Sequence, residues 1–306
     1  MLPCSICNAE LKWWCTTQDW EYFTSNEQYS YYKCIQCHSL FIHPLPAGKL
    51  SEIYPPHYYS FQEKSRNIIF QIKEWLDRRY FIKLLKKLPG QEIHILDIGG
   101  GNGWLLNQIA QSHSGIRSTT IVDINEACRT VAEKNGHTFH LSKIEDFEST
   151  KKFDLILMLN LIEHVENPEK VLSKLSALLT DTGICLIKTP NAESLDARLF
   201  RSTYWGGLHC PRHWTIYTAQ SFNIQISKLP LFIQRMQFTQ GAPFWTYSVL
   251  VSLFGKSLWK HKRPLINHSL FTPLSALFAF FDFVRSPFIP TSQLFIEIKK
   301  KPAVIS

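Results

Sequence analysis

Between Gly206 and Trp214 the chain reads GGLHCPRHW, which crowds His209, Cys210, Arg212 and His213 into five residues. Imidazole titrates near neutral pH and serves as acid, base or metal ligand. The stretch therefore reads three ways: a metal site, an acid/base pair, or a polar loop. Three donors this close cannot all chelate from one regular element, and no fourth partner lies nearby in sequence. The acid/base reading puts His213 forward as the base, with His209 and Arg212 shaping the pocket or meeting a phosphate. The Gly206-Gly207 pair and Pro211 mark a shaped surface loop. A second pair, Glu163-His164, sits in LNLIEHVENP. Its plain alternative is a histidine that hydrogen-bonds across a strand–helix turn.

Four of the eight cysteines are organised: Cys4-x2-Cys7 and Cys34-x2-Cys37, with 26 residues between the pairs. Paired CxxC suits tetrahedral thiolate coordination, and four thiolates close the coordination sphere, so such a metal is structural. The expectation is a zinc ion, with Trp13, Trp14, Trp20, Tyr22, Phe23, Tyr29, Tyr31 and Tyr32 lining a small core around it. Buried thiols or a redox pair are the alternative.

A third site has no side chains at its centre. IHILDIG runs into GGGNG, a D-x-G-x-G-x-G pattern made by Asp97, Gly99, Gly101 and Gly103. A dinucleotide fingerprint needs glycine where Trp104 stands, so an oxidoreductase reading lacks its third glycine. Glycines let the backbone approach a ligand, and the following helix N-terminus presents N–H groups to a carboxylate. Asp97 suits an ammonium group. Asp123 closes the next apolar run, STTIVDIN, where it is placed to accept from both ribose hydroxyls, and Ile124 offers a purine an apolar surface.

The elements that must hold these groups follow from periodicity. Apolar run, glycine turn and helical pattern repeat through IHILDIG–WLLNQIAQSH, STTIVDIN–EACRTVAEKNG and FDLILMLNLI–NPEKVLSKLSALLTDTG, and ICLIKTP follows. Such alternation implies α/β architecture, a largely parallel sheet covered on both faces, with ligands beyond the carboxyl ends of the strands. Upstream, Pro44, Pro46, Pro55 and Pro56 mark a connector. Residues 66–88 put Ile68, Ile69, Ile72, Trp75, Leu76, Tyr80, Leu84, Leu85 and Leu88 on one helical face, with Lys and Arg on the other.

With these residues in view, the chain resembles the class I S-adenosylmethionine-dependent methyltransferases over about Ile93 to Thr218. The resemblance rests on LDIGGGNG, IVDIN, SKIEDF and LNLIEHVENP. It implies a doubly wound, mostly parallel, seven-stranded Rossmann-like sheet that ends in an antiparallel hairpin, for which LFIQRMQF and QLFIEIKK are candidates. It also implies cofactor contacts at Asp97, Gly99, Gly101, Gly103, Asp123, Ile124 and Glu145, with Asn160, Leu161 and Ile162 lining the site after the fourth strand. Glu163-His164 is similar to a segment of ubiquinone-pathway O-methyltransferases in which two glutamates and a histidine bind a divalent cation. Asn160 stands where the first glutamate would be, which argues against a catalytic metal.

The front of the chain carries a narrower resemblance. The two CxxC pairs, an F-x-x-P-x-P segment, Tyr54 and Tyr58-Tyr59, with RHWTIYT further on, look like zinc-binding methyltransferases of bacterial sugar and cell-surface polysaccharide pathways. That resemblance implies methyl transfer to a sugar-derived acceptor, with His213 as the acceptor-side base and His209, His164 and Glu163 as further catalytic candidates.

A net charge of +8 favours an anionic partner. The basic residues are scattered and no RNA-recognition pattern is found, which leaves nucleic-acid methylation as the runner-up, beside O-methylation of a quinone-like small molecule. A non-catalytic binding protein is also weighed; it would keep the glycine turn and have no need of His213. MLPCSICNAE offers no secretory signal, so a reducing cytoplasm is expected, at the inner face of the membrane if the C-terminal region touches lipid. That region has eight Lys and Arg against two acids from Pro243 onward, and apolar runs shorter than the roughly 20 residues of a membrane helix. It is read as a helical cap on the site, with peripheral membrane contact as the alternative. The expected organisation is a zinc module over 1–45, a connector and helix over 46–90, and a cofactor-binding core over 91–240. A helical insertion over 241–290 and a final strand and tail over 291–306 complete it.

Overall fold

The computed structural model describes residues 2–55, 68–88, 92–262 and 264–302. Pro56, Tyr58, Tyr59, Arg66, Asn67 and Arg263 lie outside these ranges. The chain opens with three antiparallel strands, β1 (Leu11–Thr17), β2 (Tyr29–Cys34) and β3 (Leu40–His43). A short helix α1 (Leu50–Ile53) and a long one, α2 (Ile68–Leu85), lead to the central sheet. Trp75 and Leu76 of α2, expected on the buried face, are exposed. The part of α2 that packs on the sheet is the last turns, through Phe81, Leu84 and Leu85, where the Tyr80 hydroxyl donates to Glu297 and its ring packs edge-on against Phe295.

The central elements run β4 (Ile93–Ile98), α3 (Trp104–Ala110), β5 (Ile116–Asp123), α4 (Arg129–Lys134), β6 (Thr138–Leu141), β7 (Phe153–Leu159), α5 (Pro168–Leu178) and β8 (Leu179–Pro190). There follow α6 (Leu195–Leu199), β9 (Thr215–Ile216), α7 (Ala219–Ser227), β10 (Leu231–Thr239), α8 (Ala242–His261), α9 (Phe271–Arg285) and β11 (Gln293–Lys300). The seven-stranded sheet has the order β10-β11-β8-β7-β4-β5-β6. Strands β4 to β8 pair in parallel, and β11 pairs antiparallel with both β8 and β10, which supplies the terminal hairpin. Leu96, Leu155, Ile156, Leu157 and Leu186 are fully buried, as strands covered on both faces require. Helix α5 covers one face: the Asn167 side chain caps it by accepting from Lys170 N–H, Pro168 sits in its first turn, and Val171, Leu172, Leu175 and Leu178 are buried.

Two features position the site. The strand order reverses between β7, β4 and β5, which opens a crevice at the carboxyl end of β4. In addition, β9 pairs with β3, so the histidine stretch that precedes β9 joins the sheet of the N-terminal strands, ordered β1-β2-β3-β9. Trp14, Tyr31 and Leu40 share one apolar cluster with Trp205, Leu208, Trp214 and Leu250 of α8. Helix α8 presses on the same stretch. Ser248 Oγ accepts from Gly206 N–H at 2.8 Å, and a Cβ on Gly206 would stand 2.4 Å from Phe244 O.

Candidate active site

The glycine turn is held open by its backbone. Gly99, Gly101 and Gly103 have φ of 73°, 54° and 77°, a region that residues with a Cβ avoid. A Cβ on Gly103 would lie 2.4 Å from the His137 ring, whereas one on Gly101 would meet only Cys128 Sγ at 3.9 Å, so the middle of the turn borders open space. Asp123 at the end of β5 ties the turn down. One of its oxygens accepts from Gly101 N–H and the other from Asn125 N–H, both at 2.8 Å, and burial pushes its carboxyl above the usual range. Asp97 is buried beneath Gly100, Ile124 is exposed beside Asp123, and Glu145 is half-buried with its carbonyl accepting from Lys174 Nζ.

The segment after β7 touches both halves of the site. Asn160 takes φ 58° and donates its N–H to Lys188 O. The Leu161 side chain lies over Gly99, 3.3 Å from where a Cβ would be, and Ile162 is buried. Two residues beyond Leu161, Glu163 is fully buried with Oε1 3.8 Å from His213 Nε2, and burial raises its carboxyl to about 7. His213 Nδ1 lies 2.7 Å from Gly207 O; a carbonyl only accepts, so the ring proton is on Nδ1 and Nε2 keeps its lone pair on the Glu163 side. Burial, then the neighbouring rings of His164 and His209, hold His213 well below its ordinary pKa. The His164 ring stands 4.7 Å from that of His213, with Nδ1 3.0 Å from Arg212 O and 2.8 Å from the Tyr54 hydroxyl. Burial, then His209, lowers His164 to about 3. Glu163, His164 and His213 offer donor atoms within 4.8 Å of one another, and among the described residues Cys210 is not part of that group.

Two acids that sequence reasoning passed over complete this half. Asp19 and Glu21, between β1 and β2, are both buried. Arg212, expected to shape the pocket or meet a phosphate, is instead fully buried against Asp19, with Nη2–Oδ2 at 2.8 Å and Nη1–Oδ1 at 3.3 Å. Burial alone would raise the Asp19 carboxyl, but the Arg212 guanidinium and the hydrogen bonds from Tyr22 N–H and the Thr24 hydroxyl together hold it below its ordinary value. Glu21 accepts from His209 Nδ1 at 2.7 Å and from the Tyr204 hydroxyl at 2.7 Å. No local signal marks these acids, because their partners lie 188 and 193 residues away.

The cysteine pairs form two equivalent turns. Cys4 N–H bonds to Ala9 O and Asn8 N–H returns to Cys4 O; Cys34 N–H bonds to Ser39 O and His38 N–H returns to Cys34 O. Asn8 and His38 take matching φ of 61° and 60°. Cys4 and Cys37 sulfurs lie 3.6 Å apart, those of Cys7 and Cys34 3.4 Å, and all four fall within 4.8 Å of one another. Four thiolates at the ~2.3 Å zinc distance form a tetrahedron with edges of about 3.8 Å, whereas a disulfide needs about 2.05 Å. The hydrogen bond from Cys37 lowers the Cys4 thiol to about 5. The donor set therefore fits a tetrahedral thiolate-bound metal. Thr218 Oγ1, which caps α7, donates to Cys37 O and joins this cluster to the strand that follows the histidines.

Sheet order, glycine turn and terminal hairpin define the fold of the class I methyltransferases. Residues 72–228, just over half of the chain, match the methyltransferase domain family, and the chain belongs to it. A ubiquinone biosynthesis O-methyltransferase of Rickettsia felis is 30% identical over 103 residues, which is 33% of this chain and 42% of that protein. The equivalent protein of Coxiella burnetii is 30% identical over 105 residues, 32% of this chain and 44% of that one. The chain thus matches less than half the length of these relatives. Among solved structures, coclaurine N-methyltransferase bound to N-methylheliamine and S-adenosylhomocysteine superposes with a TM-score of 0.52 at 17% identity, covering 79% of this chain and 76% of that one. An O-methyltransferase from a Brevibacillus brevis polyketide multienzyme, bound to S-adenosylhomocysteine, gives 0.50 at 15% identity, covering 76% and 75%.

Proposed function

We propose that the chain transfers the methyl group of S-adenosylmethionine to a small sugar-derived acceptor, with His213 removing the acceptor's proton and the four cysteines holding a structural zinc ion. The observation that carries this reading is the segment 160–164, which lies over the glycine turn through Leu161 and meets His213 through Glu163. A methyl donor held at the turn and a base at His213 are thereby joined by the one short segment that follows β7.

When bound, the sulfonium cofactor supplies a methyl group with a good leaving group already attached, so the chain's residues need only align the acceptor and take its proton. The glycine turn would receive the amino-acid portion, with Asp97 for the ammonium; Asp123 would take the ribose, Ile124 and Glu145 the adenine, and Asn160 and Leu161 would close the side toward the acceptor. His213 is prepared for proton removal, because Gly207 O fixes the tautomer that leaves Nε2 unprotonated and burial keeps the ring neutral. Glu163, in its ionised form, would then stabilise the imidazolium that forms. His164, reached by Tyr54, and His209, held by Glu21, frame the acceptor side. Cys4, Cys7, Cys34 and Cys37 would hold zinc and thereby brace the strand that leads out of the histidine loop.

The sugar-derived acceptor is supported by the layout of the cysteine pairs and by Tyr54 reaching His164 from the connector. A cytoplasmic location belongs to this reading and accords with eight free cysteines. A second reading, O-methyl transfer to a quinone-like ring, is favoured by the match to the ubiquinone-pathway enzymes. Mass spectrometry of products formed from S-adenosylmethionine with nucleotide sugars, lipid-linked glycans and catechol-type phenols tests both. A methylated sugar is the expected product, a methylated phenol establishes the second reading, and no heat on titration with either S-adenosylmethionine or S-adenosylhomocysteine overturns the cofactor itself.

A further inference from the structure

Among the described residues, the outer side of the α8–α9 hairpin is left uncovered. On α9, Leu277, Phe280 and Val284 recur at i, i+3 and i+7, Phe283 lies beside them, and Phe288 continues the stripe; all are exposed, Phe280 to 67%, Phe283 to 72% and Phe288 to 83%. The inner side of α9 is already satisfied. Phe278 stacks on Trp245 of α8 at 5.1 Å, and Asp282 accepts from Gly241 N–H and pairs with Arg285. On α8, exposed Leu253 is followed at i+3 and i+7 by exposed Lys256 and Lys260, and Lys262 lies in the turn beyond. Between residues 242 and 290 the sequence has one carboxylate, Asp282, and it is fully buried. The surface of the hairpin is therefore apolar and cationic, with no anion.

We propose that this face docks on the interface of an anionic phospholipid bilayer, with the hairpin lying in the plane of the membrane. Among the described residues no helix is long and apolar enough to cross a membrane, so the contact is peripheral. Phenylalanines on one side of a helix enter the headgroup–acyl boundary, and lysines along the same hairpin meet lipid phosphates. A second copy of the chain answers these features less well, because it would offer the lysines more lysines and no exposed carboxylate from the same segment. The other side of α8 rests on Gly206–Leu208, so docking brings the histidine loop within about one helix layer, ~10 Å, of the lipid surface. An acceptor carried on a lipid would meet the site there.

Sedimentation of the full chain with vesicles tests this directly and needs neither cofactor nor acceptor. Vesicles of phosphatidylcholine mixed with phosphatidylglycerol are expected to carry the protein down, in a salt-sensitive way, and vesicles of phosphatidylcholine alone to carry several-fold less. The combined variant Phe280→Ser, Phe283→Ser, Phe288→Ser and the separate variant Lys256→Glu, Lys260→Glu are each expected to stay in the supernatant while keeping the circular dichroism and thermal midpoint of the parent. Equal binding to both vesicle types, no binding to either, or unchanged binding by a folded variant overturns the proposal. So does light scattering that shows a dimer abolished by the phenylalanine substitutions when vesicles bind neither form.

Discussion

The glycine turn draws its parts from 93 to 125, one strand–turn–helix–strand passage, whereas the histidine cluster collects Asp19, Glu21, Tyr54, Glu163, His164, Tyr204, His209, Arg212 and His213 from the length of the chain. The first is a backbone device: positive φ at three glycines and two N–H bonds to Asp123 shape it, and the middle of the turn faces open space. The second is a side-chain device, buried and held by long-range ion pairs. A site of the first kind is set by local geometry. A site of the second kind has its protonation states set by burial, as the low His164 and the high Glu163 demonstrate. The contrast predicts that the two halves fail separately.

The largest expected effect is on turnover. His213→Ala should lower kcat by roughly 100- to 10,000-fold, the usual worth of a general base, and leave S-adenosylhomocysteine affinity by calorimetry intact. Full activity in that variant moves the base elsewhere, with His209 the first alternative. Asp19→Ala strands Arg212 in the interior and should cost roughly 3–5 kcal/mol of stability in denaturant titration, again with cofactor affinity preserved in the folded fraction. Asp123→Ala reverses the pattern: cofactor affinity should fall roughly 10- to 100-fold as charge-assisted hydrogen bonds are lost, while the histidine titrations followed by NMR stay where they were. If affinity survives, the ribose assignment is wrong.

The pH dependence sharpens the comparison further, with effects confined to part of the pH range. Glu163 ionises near its ordinary value of 4.5 in the unfolded chain and near 7 in the fold, so its contribution to stability is lost as pH rises from about 4.5 to 7. Glu163→Gln should therefore gain stability at pH 8, by up to about 3 kcal/mol from a shift of this size, and little at pH 4. His164 works in the opposite sense: lowered to about 3, it adds stability above its unfolded value of 6.5 that is lost as pH falls toward 3. His164→Asn should flatten that acid limb in thermal melts. No parallel pH effect is expected from substitution within the glycine turn.

The difference between the halves also explains what is legible in the sequence. The D-x-G-x-G-x-G pattern and the acid at the next strand end are contiguous, so a largely parallel sheet and the positions of Asp97, Gly101 and Asp123 in it are readable from spacing, while its doubly wound, seven-stranded form comes from the family resemblance. The histidines are visible as residue types, but their partners are not. Nothing near Asp19 or Glu21 announces that Arg212 will be buried on one and His209 held by the other, and so Arg212 reads in the sequence as shaping the pocket or meeting a phosphate, whereas its guanidinium is taken up by Asp19. The exposure of Trp75 and Leu76 escapes the sequence for a related reason: helical spacing defines an apolar face but not how much of the helix finds a surface to rest on.

By itself, the sequence determined what depends on neighbours in the chain: alternating strands and helices, a turn only glycines can make, and two cysteine turns with matching backbone geometry. These follow from steric limits and hydrogen bonds that act over a few residues. The tertiary structure alone decided the chemistry of the histidines. Pairing of β3 with β9 brings the loop between β1 and β2 onto the histidine stretch, and only then are His209 held by Glu21, Arg212 held by Asp19, and the rings of His164 and His213 and the carboxyl of Glu163 moved by burial from their ordinary titration.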